Sequence, residues 1–156
     1  MNDGDKLLWL DSGCEIDIKK KEKIQEYLKY IETDYIIGSN NTIEREYCKI
    51  DLILKLDMLD PKHLETLQHQ ATAILFLVCD KTRELVNHWY ELSCDYHLID
   101  DSPDINDQLM YYKEHRHDQS IFSLLTKKYN LFSNHTIDEI ICMFRNNTGN
   151  SWLNNC

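Results

Sequence analysis

Ala71-Thr72-Ala73-Ile74-Leu75-Phe76-Leu77-Val78 decides the class of fold. The run is apolar with only Thr72 interrupting it, and it shows no alternation of polar and apolar positions. A strand covered on one face alternates; a strand covered on both faces does not. The stretch therefore reads as a central strand sandwiched by other elements. Asp80 follows at once and caps a helix, with Leu85, Val86, Trp89, Tyr90 and Leu92 on or near one face.

The pattern repeats outward from this strand. Lys6 to Leu10 reads as a short buried strand stopped by Asp11-Ser12-Gly13. From Lys19 to Ile31 the residues Ile24, Tyr27, Leu28 and Ile31 fall on one helical stripe. Tyr35-Ile36-Ile37 is a second short strand, ended by Gly38-Ser39-Asn40-Asn41, and Glu44 to Leu59 reads as a helix limited by Pro61. His97 to Asp107 is a polar loop. Asp118 to Lys128 is a helix with Ile121, Phe122, Leu124 and Leu125 inward, and Thr136 to Arg145 is a short last helix before a polar tail. Helices alternating with short buried strands give an α/β class with a partly parallel sheet. One domain occupies residues 1–132, and the last helix and tail occupy 133–156.

Size and charge narrow the function. The 156 residues suffice for one core, and apolar residues make up 42%. The net charge is −10. Nucleic-acid polymers need a basic surface to displace counterions, and Lys19, Lys20, Lys21 and Lys23, the densest basic stretch, lie on a helix face. A nucleotide diphosphate held through a divalent cation remains compatible with an acidic chain. Six cysteines include no C-x-x-C pair, so a thiolate zinc site of usual spacing is not expected. The polar start Met1-Asn2-Asp3-Gly4-Asp5 is unlike a signal peptide, and there is no apolar run long enough for a transmembrane helix. Free thiols and a cytoplasmic location are the expectation.

Three polar constellations carry chemistry. Asp11-Ser12-Gly13 sits at the carboxyl end of a strand, where α/β sheets bind ligands. The acid suits a hard cation and the glycine a close backbone approach, but a strand ending in Asp-x-Gly also serves as a plain turn. Glu114-His115-Arg116-His117-Asp118-Gln119-Ser120 runs straight into a helix. Asp118 is either its capping acid or a general base, and His115 and His117 are either exposed loop residues or ligands. His97-Leu98-Ile99-Asp100-Asp101-Ser102-Pro103 pairs two carboxylates, as cation ligands or as solvated turn residues. Gln68-His69-Gln70 is polar just where the central strand begins. A metal-dependent hydrolase built on His115, His117, Asp100 and Asp101 is one reading of these residues.

Together, Asp3 to Glu15, Trp89 to Pro103 and Glu114 to Ser123 resemble the GT-A-type nucleotide-sugar glycosyltransferases of bacteria and large DNA viruses. The resemblance covers most of residues 3–130, and its most specific motif is Glu114 to Ser123. It implies a partial GT-A, Rossmann-like mixed sheet flanked by helices and lacking its first strands. It also implies transfer of a sugar from a nucleotide-diphosphate sugar to a hydroxyl of a glycan or protein acceptor. Asp11 matches the first acid of the family's D-x-D motif, and Gly13 stands where the second acid would be. Mn²⁺ or Mg²⁺ is then expected at Asp11 and Glu15, with Asp118 as catalytic base and Gly13, His115, His117 and Gln119 contacting substrate. About the first third of such a domain would precede Asp11, so a separately encoded N-terminal half is an expected partner. The alternative expectation is a truncated, inactive remnant acting as a binding or structural protein.

Overall fold

The computed structural model describes residues 1–143. The fold is α/β, with a mixed sheet of parallel and antiparallel strands flanked by helices. It divides into two compact units. Among the described residues the first comprises 1–39, 72–82 and 131–143, and the second Asn40–Ala71 and Arg83–Asn130.

The first unit holds the sheet that the apolar run predicted. Strand β1 (Lys6–Leu10) pairs antiparallel with β4 (Leu67–Leu77), so that Lys6 lies opposite Leu77 and Leu10 opposite Ala73. The order is β1-β4-β3-β5, with β3 (Ile36–Ile43) parallel to β5 (Phe132–Thr136). Strand β2 (Cys14–Ile16) pairs antiparallel with β6 (Ile141–Met143) in a separate two-stranded sheet. Helix α1 (Lys21–Asp34) lays Tyr27 and Ile31 against Ile37, Ala73, Leu75, Ile137 and Ile140, with Leu8 and Leu10 closing the rim. The central strand is buried on both faces from Ala71 to Phe76, as its lack of alternation requires.

Three expectations change in this unit. Strand β1 is an edge strand and only half-buried, with Trp9 53% exposed. Gly38 does not end β3, which continues to Ile43. Its backbone is extended rather than left-handed, and a Cβ there would come 3.1 Å from the Phe132 ring and 3.2 Å from the Ala73 carbonyl oxygen. Gly38 thus marks a close approach inside a sheet, a role glycine also has in strands. Residues 136–143 form the end of β5, a turn and β6 instead of a last helix. Ile137, Ile140 and Ile141 look helical in spacing but fill the core cluster from turn and strand. The rest of the expected helix and the polar tail lie outside the described residues.

The second unit contains helices α2 (Ile50–Lys55), α3 (Pro61–Leu64), most of α4 (Asp80–Ser93) and α5 (Asp118–Tyr129). The helix expected over Glu44–Leu59 is broken. A 3-10 turn spans Glu44–Glu46, and α2 ends where Asp57 takes a left-handed backbone, φ 55. Pro61 does not merely stop a helix. It opens α3 at a first-turn position while the Asp60 side chain accepts the Lys62 N–H at 2.9 Å. Ile121, Phe122, Leu124 and Leu125 of α5 are fully buried, as predicted; on α4, Leu85 is buried but Val86 and Tyr90 face outward. The five cysteines among the described residues are free thiols. Among these residues no helix is long and apolar enough to cross a membrane.

Gly38→Ala should destabilise the chain by about 1–3 kcal/mol, the usual range for overpacking. A chemical-denaturation midpoint that falls at unchanged slope would show it. An unchanged midpoint would mean that the Phe132 ring yields without cost.

Candidate functional site

The second unit gathers two of the three polar constellations, together with Gln68-His69-Gln70. The gathering rests on two buried networks, and each has at its centre a charged side chain that periodicity alone did not single out.

The first centre is Lys49. Its side chain is 1% exposed, and its amine donates to the His97 carbonyl at 2.8 Å, Asp100 Oδ1 at 2.8 Å and Ser102 Oγ at 3.3 Å. The amine holds the Asp100 carboxyl well below the usual carboxylate range, helped by the Ser102 hydroxyl. The Lys49 backbone N–H donates to His115 Nδ1 at 3.2 Å. That nitrogen must therefore be unprotonated, so His115 Nε2 carries the hydrogen and donates to the Leu98 carbonyl at 2.8 Å. His115 is 4% exposed, and burial lowers its pKa to about 4. Both its nitrogens are occupied by backbone, which makes it a post between loops.

The second centre is Glu44, fully buried on the 3-10 turn after β3. It accepts hydrogen bonds from Gln68 Nε2 at 2.9 Å, from the Ser123 hydroxyl, and from Lys127 Nζ at 2.6 Å. Gln68 Oε1 in turn accepts from Gln119 Nε2 at 2.7 Å, and Ser120 Oγ donates to the Tyr47 carbonyl at 2.8 Å. The polar start of the central strand is thus bonded to the first turns of α5.

Between these networks lies the junction of loop and helix. His117 precedes α5 with φ 51 and ψ −125, a conformation unfavourable for a residue with a Cβ. Its ring bonds Asp101 Oδ1 at 2.9 Å. Asp118 is a first-turn residue whose side chain makes no capping bond; its carbonyl accepts from Trp89 Nε1 at 2.9 Å. The Asp118 carboxylate is exposed and takes no hydrogen bond among the described residues.

The remaining predicted residues lie in the first unit. Asp11-Ser12-Gly13-Cys14 is a turn closed by the Cys14 N–H on the Asp11 carbonyl at 3.0 Å, and the Asp11 N–H bonds the Thr72 carbonyl at 2.9 Å. The Asp11 carboxylate is exposed and unbonded among the described residues, Gly13 is exposed, and Glu15 is half-buried in β2.

His115, His117, Asp100 and Asp101 do not form a candidate metal-ligand group among the described residues, which the metal-dependent hydrolase reading required. Among the described residues one group of three candidate ligands forms: Asp51, His97 and Asp104, with ligand atoms within 4.8 Å of one another. A mixed nitrogen and oxygen set suits several divalent metals. Each atom is already engaged, however. Asp51 accepts from His97 Nε2 at 2.7 Å, Ile105 N at 2.6 Å and Asn106 Nδ2 at 2.6 Å, and Asp104 accepts from the Asp51 N–H and Gln108 Nε2. Burial pushes the Asp51 carboxyl up, but these bonds outweigh it and hold it well below the usual range. The group staples the loop after Asp100 to α2. Nothing in the sequence pattern marked Lys49, Glu44 or Asp51, because each lies in a stretch that reads as ordinary amphipathic helix.

The chain matches no family model, no curated protein and no solved structure. The chemistry must be argued from these side chains.

His115 gives a pH signature. Its folded pKa, about 4, lies below the free imidazole value of about 6.5, so the unfolded chain takes up the proton first as pH falls. The stabilisation is complete above pH 6.5 and is lost progressively down to about pH 4, by on the order of 3 kcal/mol. His69, lowered to about 3 by burial, acts with the same sign. Denaturant unfolding at pH 7, 5.5 and 4.5 should show a shallower pH dependence for His115→Gln than for the wild type. Equal slopes would show that His115 is not held neutral.

Proposed function

We propose that this chain is a glycosyltransferase that moves a sugar from a nucleotide-diphosphate sugar to an acceptor hydroxyl. The observation that carries the reading is the state of Asp118. Around it His115, Gln119 and Ser120 are buried and bonded. Asp118 alone in this segment presents an unbonded carboxylate, at the first turn of a helix whose core face is fully packed. A rigid shell around one free acid is what a general base needs. In this reading Asp118 takes the proton of the acceptor hydroxyl as it attacks the sugar. Gln119 has its amide nitrogen held by Gln68, which leaves its oxygen to accept from a sugar hydroxyl, and the exposed face of the His117 ring is a second contact.

The metal reading rests on Asp11. Its exposed, unbonded carboxylate fits a hard cation that takes its other ligands from phosphates and water. Gly13 supplies no side-chain oxygen, so Glu15 is the second protein ligand in this reading. Bound Mn²⁺ or Mg²⁺ would offset the charge of the leaving diphosphate.

Release of nucleoside diphosphate from uridine- and guanosine-diphosphate sugars with Mn²⁺ tests the proposal. Asp118→Asn should slow turnover with acceptor by about 10²–10⁴-fold. Asp11→Ala should weaken the response to Mn²⁺. Equal rates in all three proteins, or none in any, would leave the chain a binding or structural protein.

A further inference from the structure

In the second unit, residues 59–61, 64–65 and 109–111 line, with Arg45, an open cavity of about 390 Å³. This is within the range of small-molecule sites. None of the residues assigned above lines it. Its apolar wall is Leu59, Pro61, Leu64, Leu109, Met110 and Tyr111. Leu59, Met110 and Tyr111 are 55%, 73% and 65% exposed. Exposed apolar side chains normally scatter singly over a surface; these three ring one concavity.

Two unfavourable features persist at the same place. Tyr111 holds a left-handed backbone, φ 75, although its ring is not used to fill a core. Arg45 lays its guanidinium 5.5 Å from the centre of the Tyr111 ring and pairs with Glu65. In doing so it leaves its Nε as the one buried side-chain polar atom without a partner among the described residues. Together they hold an aromatic face at the mouth of the cavity.

The charges on the wall decide what can enter. Arg45 is paired with Glu65, and Asp60 lies 3.1 Å from Lys62 Nζ while capping the Lys62 N–H. Every charge therefore has its counter-charge in the protein. An anion or a cation would be desolvated against apolar walls without an uncompensated partner. A neutral flat group meets no such cost.

We propose that this cavity binds an uncharged ligand carrying an aromatic ring, with the ring against Tyr111 and Met110. The ligand's polar groups lie at the Arg45–Glu65 edge. A neutral aromatic ketone, 6-propionyl-2-(dimethylamino)naphthalene, is a suitable probe, because its emission moves to the blue in apolar surroundings. Titration into the full chain should give a saturable blue shift with one site per chain. Tyr111→Gly and Met110→Asp should each weaken binding by about tenfold. Both positions are exposed, and glycine suits the left-handed backbone at Tyr111, so a denaturation midpoint that does not fall in either variant certifies the fold. Emission that never saturates, or an affinity unchanged in both variants, would overturn the site. Equally tight binding of the anionic 1-anilinonaphthalene-8-sulfonate would overturn its neutrality. The readout uses no nucleotide sugar, so it succeeds or fails independently of transferase activity.

Discussion

The Glu44 carboxylate is the constraint on which the second unit depends. A fully buried carboxylate is tolerated only when its oxygens are bonded and its charge is met. Here Lys127 meets the charge, and Gln68 and Ser123 supply the further bonds. The consequence spreads by simple donor and acceptor logic. Because Glu44 can only accept, Gln68 must turn its amide nitrogen toward it. The Gln68 oxygen then faces Gln119 and fixes that amide in turn, nitrogen inward. Two amides, one on β4 and one on α5, thus have their orientation set by one acid. Removing only the acid would leave several buried donors unmet, which costs more than the individual bonds suggest.

Lys49 does for the loops what Glu44 does for the helix. One buried amine holds a carbonyl, a carboxylate and a hydroxyl of residues 97–102, and the same residue's N–H sets the tautomer of His115. The loops gain rigidity from a point charge that water does not reach. His117 then has little freedom: it follows a fixed His115, precedes a fixed helix, and its left-handed backbone absorbs the mismatch. Strain of this kind survives where neighbours over-determine the position, and its location beside Asp118 is the reason to read the junction as functional.

What the sequence made legible follows from periodicity. Strands and helices whose apolar spacing reports burial, such as β4, α1 and α5, are where the pattern places them. The failures share a cause. The stretch after Glu44 has helical spacing, yet its polar residues are bonded inward to α5 and to the loops, and those distant bonds break the helix at Tyr47 and Cys48. The isoleucines near residue 140 are spaced as in a helix because a turn and a short strand bury them against the same cluster. Gly38 resembles a terminator because sequence cannot show that the Phe132 ring stands where a Cβ would be. The candidate site was legible as composition, in the clustering of His, Asp and Gln, but not as wiring. Which of those residues are posts and which are free depends on Lys49 and Glu44, and neither breaks a pattern.

The turn at Asp11 shows how far wiring can discriminate. Its backbone is committed on both sides, to the Thr72 carbonyl and to the Cys14 N–H, so only the carboxylate is available. Gly13 is not in a left-handed conformation, and any L-residue could adopt its backbone. The turn's backbone therefore does not by itself call for glycine at position 13. Under the proposed transferase reading, the turn offers a cation the exposed Asp11 carboxylate and no second carboxylate at position 13. Mg²⁺ in particular is commonly held by one or two carboxylates plus phosphates and water. In that reading a cation at this turn would take most of its ligands from the diphosphate and water, with Asp11 setting where it sits.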